Sequence, residues 1–114
     1  MTEQSKFMYR RHGWSQKDVK HLEDNAFEMI EDPEGRWAIG LIQDESGMVW
    51  LLPIGRTNKF SLSLWKELRT QIEKYPISTV PMSKNQELLE KGASKYGGYL
   101  LDNNYVFNNR MKEK

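Results

Sequence analysis

Apolar positions along the chain fall into blocks with different spacings, and each spacing predicts a different element. Val19, Leu22, Ala26, Phe27 and Ile30 recur at helical intervals. Ser15-Gln-Lys-Asp18 before them has the form of a capping box, in which the serine oxygen accepts from the Asp18 amide and the aspartate reaches back. Asp32-Pro33-Glu34-Gly35 stops that helix, because Pro33 disfavours helix at Asp32 and Gly35 suits a turn. Ahead of it, Phe7 to Arg11 reads as a first strand. Trp37–Ile42 and Met48–Ile54 read as two further strands, joined by the polar loop Gln43–Gly47. Both runs are continuously apolar rather than alternating, which predicts a central hairpin covered on both faces. Pro53 has no N–H, so pairing is expected to weaken or bulge near the end of the second run.

The second half continues in the same way. Gly55 to Phe60 is a turn, and Leu64, Trp65, Leu68, Ile72 and Tyr75 form one helical stripe that ends at Pro76. Ile77–Val80 is a short strand stopped by Pro81. Ser83-Lys-Asn-Gln86 opens another helix through Leu88 and Leu89; Gly92 weakens it by about 1 kcal/mol, and Gly97 and Gly98 suit its C-cap. Tyr99 to Met111 is a last strand or hairpin. Asp102-Asn103-Asn104 is its candidate tight turn, since Asn tolerates positive φ. The expected fold is α+β in one domain, 1–114: a mixed, mostly antiparallel sheet with helices on its faces, in the order β-α-β-β-α-β-α-β.

Composition narrows the function. A chain of 114 residues suits one domain with one modest core. Four Trp, five Tyr and four Phe argue against disorder. Seventeen basic against sixteen acidic residues leave +1, so no global field draws nucleic acid or a membrane. The basic stretches at Met1–Arg11 and at Arg110–Lys114 read as solvated termini. Absence of cysteine excludes disulfides, cysteine zinc sites and a thiol nucleophile, and fits an intracellular setting. No apolar run approaches the roughly 20 residues of a membrane span, and the first residues lack a signal-type segment. A soluble, cytoplasmic protein is expected.

Candidate chemistry is sparse. His12 and His21 are the only side chains with ordinary pKa values in the physiological window. The reading of His12 as an exposed turn residue outweighs that of a general base, and His21 lies off the apolar stripe. Glu23, Asp24, Glu28, Glu31, Asp32 and Glu34 lack the Asp-x-Asp-x-Asp-Gly spacing of a calcium loop, so no metal is expected. They read as a solvated face, or else as an acidic surface for a basic protein. No Gly-x-Ser-x-Gly or phosphate-binding glycine motif occurs. Tyr96, Tyr99, Tyr105 and Phe107 lie near Lys91, Lys95 and Arg110, as in a stacking surface for single-stranded nucleic acid. The charge balance favours the other reading, in which Tyr99, Leu101, Tyr105 and Phe107 alternate into a sheet core. Trp37, Trp50 and Trp65 are assigned to the core. Trp14, beside the capping serine, is the candidate anchor for a partner protein.

Met48-Val-Trp-Leu-Leu before the long helix, and Asn85-Gln-Glu-Leu-Leu-Glu-Lys-Gly leading to Gly97-Gly98-Tyr99, resemble the GCN5-related N-acetyltransferase fold. Within it the chain is similar to small acetyltransferase-like proteins of short-tailed phages, some of them internal virion proteins. The resemblance implies an acyl-CoA site at the start of the long helix, where backbone amides hold the pyrophosphate. Arg56, Thr57, Asn58 and Lys59 stand at that position, and Asn85 stands where the family contacts the cofactor arm. The family's loop is Gln/Arg-x-x-Gly-x-Gly/Ala; Arg56-Thr-Asn-Lys-Phe-Ser61 has no glycine, and side chains there crowd a phosphate. Tyr96 and Tyr105 lie where such an enzyme keeps a general acid, but no catalytic residue is assigned. The family's second helix, between the first helix and Trp37, is expected to be missing. Two expectations follow. One is a phage-type module without cofactor that binds a host or virion protein, in the host cytoplasm or the virion. The other is an acetyl-CoA-dependent N-acetyltransferase acting on an amine of a host protein or small molecule. The missing glycines favour the first.

Overall fold

The computed structural model describes residues 1–56, 61–81, 92, 95–102 and 104–108. Two helices come first. Helix α1, Glu3–Arg11, starts at Thr2, whose side chain accepts from the Ser5 amide. Helix α2, Gln16–Asn25, starts at Ser15 with the expected capping box complete in both directions. Phe7–Arg11 is therefore helix and not strand. Ser5, Met8 and Tyr9 are its buried residues, an i, i+3, i+4 set that only a helix places on one side. The second helix also ends earlier than its spacing predicts. The Phe27 amide donates to the Leu41 carbonyl, and Glu28–Glu31 forms strand β1. Two helices thus precede the first strand and no leading strand is present; between α2, which opens at the Ser15 cap, and Trp37 the chain forms β1 and a turn.

Strands β2, Trp37–Gln43, and β3, Val49–Gly55, form the central hairpin. Helix α3, Leu62–Lys74, is capped by Ser61 and leads to β4, Ile77–Pro81. A terminal hairpin, β5 Tyr99–Leu101 and β6 Asn104–Asn108, turns at Asp102 with φ 50°. The helix predicted from Ser83 lies outside the described residues except at its end. Among the described residues the order is α-α-β-β-β-α-β followed by the β-β hairpin, which differs from the predicted sequence of elements in its first half.

Six strands make one sheet in the order β1-β2-β3-β4-β6-β5, and every pair is antiparallel except β3–β4. Trp37, Ile39 and Leu41 pack with Val49, Leu51, Val80, Tyr105 and Phe107 against Leu64, Leu68 and Ile72 of α3. Burial of each of these α3 side chains contributes about 1.5–3 kcal/mol. Alternate strand residues point the other way. There Ile42, Leu52 and Ile54 meet Tyr9, Val19 and Leu22 of the two N-terminal helices. The hairpin is covered on both faces, as its continuous apolar runs predict. Gly40 marks how closely α2 sits: a Cβ there would stand 2.8 Å from a Leu22 methyl. In the terminal hairpin Tyr105 and Phe107 enter the core, but Tyr99 and Leu101 stay exposed at the sheet edge.

Pro53 does not weaken the hairpin. Register continues through Ile39↔Pro53 to Trp37↔Gly55. Asp44 N donates to Met48 O and Arg56 N to Arg36 O, so even positions of β3 bond to β2. The Pro53 nitrogen therefore faces the β4 side. Strands β3 and β4 are in register only at Val49↔Ser78 and Trp50↔Thr79, so no ladder bond is lost at Pro53.

Two polar ties fix α1 to the sheet. The buried Tyr9 hydroxyl donates to the Leu52 carbonyl at 2.6 Å. One Glu31 oxygen accepts from Thr2 N at 2.9 Å and from the Thr2 and Ser5 hydroxyls at 2.5 Å each. Burial pushes the Glu31 carboxyl up, but these donors outweigh it and hold it below its ordinary 4.5. Tyr9→Phe is expected to cost about 1 kcal/mol in denaturant unfolding, the worth of one buried hydrogen bond. Because the Glu31 pKa is depressed on folding, its contribution is complete above pH 4.5 and is lost as pH falls through the folded value. Between about pH 5 and pH 3 the wild-type Tm should fall more steeply than that of Glu31→Gln, as followed by circular dichroism.

Candidate functional site

The predicted cofactor loop is described only at its first residue. Arg56 follows β3 and turns back: its Nη2 donates to the carbonyls of Glu34 at 3.1 Å and Gly35 at 3.2 Å. It braces the turn between β1 and β2. Thr57, Asn58, Lys59 and Asn85 lie outside the described residues. Beyond them, Ser61 caps α3 by accepting from the Leu64 amide.

The tyrosines expected near a general acid are both tied into the fold. Tyr105 is buried in the α3-side core. Tyr96 packs edge-on against Trp65, lies under the Arg69 guanidinium at 4.9 Å, and donates its hydroxyl to Glu73. Burial first, and then Glu73, push its pKa up, which disfavours a tyrosinate.

Much of the acidic cluster is engaged internally. Glu23 accepts Lys6 at 3.3 Å, Glu31 holds Thr2 and Ser5, and Asp32 takes Arg36 Nε at 2.7 Å. Among the described residues no group of three His, Asp or Glu side chains could hold a metal ion. No described helix is long and apolar enough to cross a membrane. His12 is half-buried rather than exposed: its amide caps α1 through the Met8 and Tyr9 carbonyls, and its Nε2 is buried without a hydrogen-bond partner. His21 is exposed, with Nδ1 3.3 Å from the Asn25 amide nitrogen.

Trp14 occupies a more suggestive place. It is half-buried, as are Trp50 and Trp65, so exposure does not single it out. Position does. Its ring sits 4.8 Å from that of Tyr9 and borders two clefts. One is a groove along α1 lined by Glu3, Gln4, Phe7, Arg10 and Arg11. The other runs between the helices and the sheet, past His12, Asp18 and His21 to Ile42 and Leu52. Phe7, at 56% exposure, is among the most exposed large apolar side chains described. Glu3, Phe7 and Arg10 recur at i, i+4 and i+7, one stripe on α1, and Trp14 lies beyond the helix end. Sequence reasoning missed Phe7, Arg10 and Arg11 because it read this segment as a strand. The available signal was Thr2 as N-cap, three residues before Ser5.

No family model matches the chain, and neither a curated protein nor a solved structure matches it.

Arg56→Ala should lower stability by less than about 1 kcal/mol in chemical unfolding, because it removes two exposed hydrogen bonds to the turn.

Proposed function

We propose that the chain is a protein-binding module on an acetyltransferase-like scaffold, of phage type, whose partner is a host or virion protein and whose anchor is Trp14. The observation that supports it most is the fixed Trp14 ring between two clefts. Interface hot spots are enriched in Trp and Arg. An aromatic ring already held by Tyr9 loses little freedom on binding, so more of its contact energy appears as affinity.

A second reading has one observation in its favour. Strands β3 and β4 run parallel and are in register at two positions only, so the sheet parts toward their C-terminal ends. A crevice at the C-terminal ends of parallel strands is where open sheets bind ligands, and the α3 N-terminus follows β3. Acyl transfer from CoA to an amine would use that crevice. The absence of glycine between Arg56 and Ser61, and the engagement of Arg56 with the turn, make it the weaker reading.

The test replaces Phe7 with a photo-crosslinking phenylalanine and, as a control, Lys66 on the α3 side of the sheet. Irradiation in host lysate should capture a discrete protein from position 7 and not from 66, and Trp14→Ala should abolish the capture. No capture from either position would end the module reading. Calorimetry with acetyl-CoA should give no heat; heat that Arg56→Ala removes would establish the enzyme reading instead.

A further inference from the structure

We infer that the α1 groove takes an acidic peptide segment carrying an apolar side chain, an inference that rests on the protein-binding reading above. Lys6 is neutralised by Glu3 at 3.4 Å and Glu23 at 3.3 Å. Arg36 is held by Asp32 and Glu34, and Arg56 by two carbonyls. The Arg10 and Arg11 guanidinium groups, both exposed, meet no hydrogen-bond or ion-pair partner among the described residues.

These arginines are not needed to close the helix. At the end of α1 the amides of His12, Gly13 and Trp14 already donate to the carbonyls of Met8, Tyr9 and Arg10. Two adjacent cations therefore stand in a groove that they share with exposed Phe7, with Trp14, and with Glu3 and Gln4. Guanidinium forks favour paired carboxylates, and an apolar side chain between the carboxylates would cover Phe7.

Other occupants fit less well. A nucleic acid backbone calls for a longer cationic track than two arginines, and Glu3 stands at the groove's other end. A second copy would have to offer carboxylates on both sides of an apolar side chain; Glu23, Glu31 and Asp32 are engaged within the chain, while exposed Glu28 and Glu45 are not, so self-association is one outcome of the test.

The experiment is fluorescence polarisation with a labelled peptide in which Asp and Glu flank Leu and Phe. Its probes for comparison are the same peptide with Asn and Gln in place of the acids, and a single-stranded oligonucleotide. The acidic peptide should bind, and its amide counterpart at least about tenfold more weakly. Arg10→Glu with Arg11→Glu should lose a similar factor, Phe7→Ala should weaken binding, and Lys66→Glu should leave it unchanged. Circular dichroism confirms that these exposed substitutions leave the fold intact. Equal binding of the amide peptide, binding indifferent to the arginine double variant, or tighter binding of the oligonucleotide would each overturn the inference. So would self-association that the double variant abolishes. A crosslink from position 7 that persists in the double variant removes only the acidic preference; no crosslink at all removes the protein-binding reading beneath it.

Discussion

The structure turns on the single parallel step in its sheet. Strands β1, β2 and β3 form one antiparallel set and β4, β6 and β5 another, and the two meet in register at only two positions. A parallel neighbour cannot be reached by a tight turn, so the chain must cross one face of the sheet to reach β4. Helix α3 makes that crossing, and its apolar stripe seals both strand sets from one side. The short register also accommodates Pro53, whose missing donor falls on the side where the strands have parted.

With α3 committed to one face, the other face of the hairpin needs its own cover, and α1 and α2 supply it. Tyr9 fixes α1 at mid-sheet through Leu52, and Glu31 fixes its start from the edge strand. These ties set which side of α1 points inward: Ser5, Met8 and Tyr9. The outward side is then determined, and it carries Phe7, Arg10 and Arg11. Trp14 follows directly, fixed by its amide to the Tyr9 carbonyl and by its ring to the Tyr9 ring.

The central hairpin, the α3 stripe, the Ser15 cap and the turn at Asp102 were legible in the sequence, because each is a local pattern with a local cause. Helix α1 was not, because one of its three buried positions is Ser5, which is polar and buried for the sake of a carboxylate 26 residues away. Strand β1 was hidden because Phe27 and Ile30 continue a helical spacing; pairing with the outer edge of β2 overrides it. Of the candidate site, Trp14 was visible from its setting beside the cap. Its neighbours were not, since a strand would send Arg10 and Arg11 to opposite faces, whereas the helix leaves both on its exposed surface.

That difference bears on how charge is read in a nearly neutral chain. A net charge of +1 argues against a global field, but it does not describe the surface a partner meets. Cations held by carboxylates or carbonyls, such as Lys6, Arg36 and Arg56, fasten helices and turns and present little free charge. Recognition draws on the remainder. Among the described residues Lys17, Lys66, Lys74 and Lys95 belong to that remainder too, but Arg10 and Arg11 are adjacent and stand beside exposed aromatic surface at the C-terminal end of α1, where backbone amides have already satisfied the helix. Specificity for an acidic, partly apolar segment would then come from the absence of internal partners at two positions, not from any excess of basic residues.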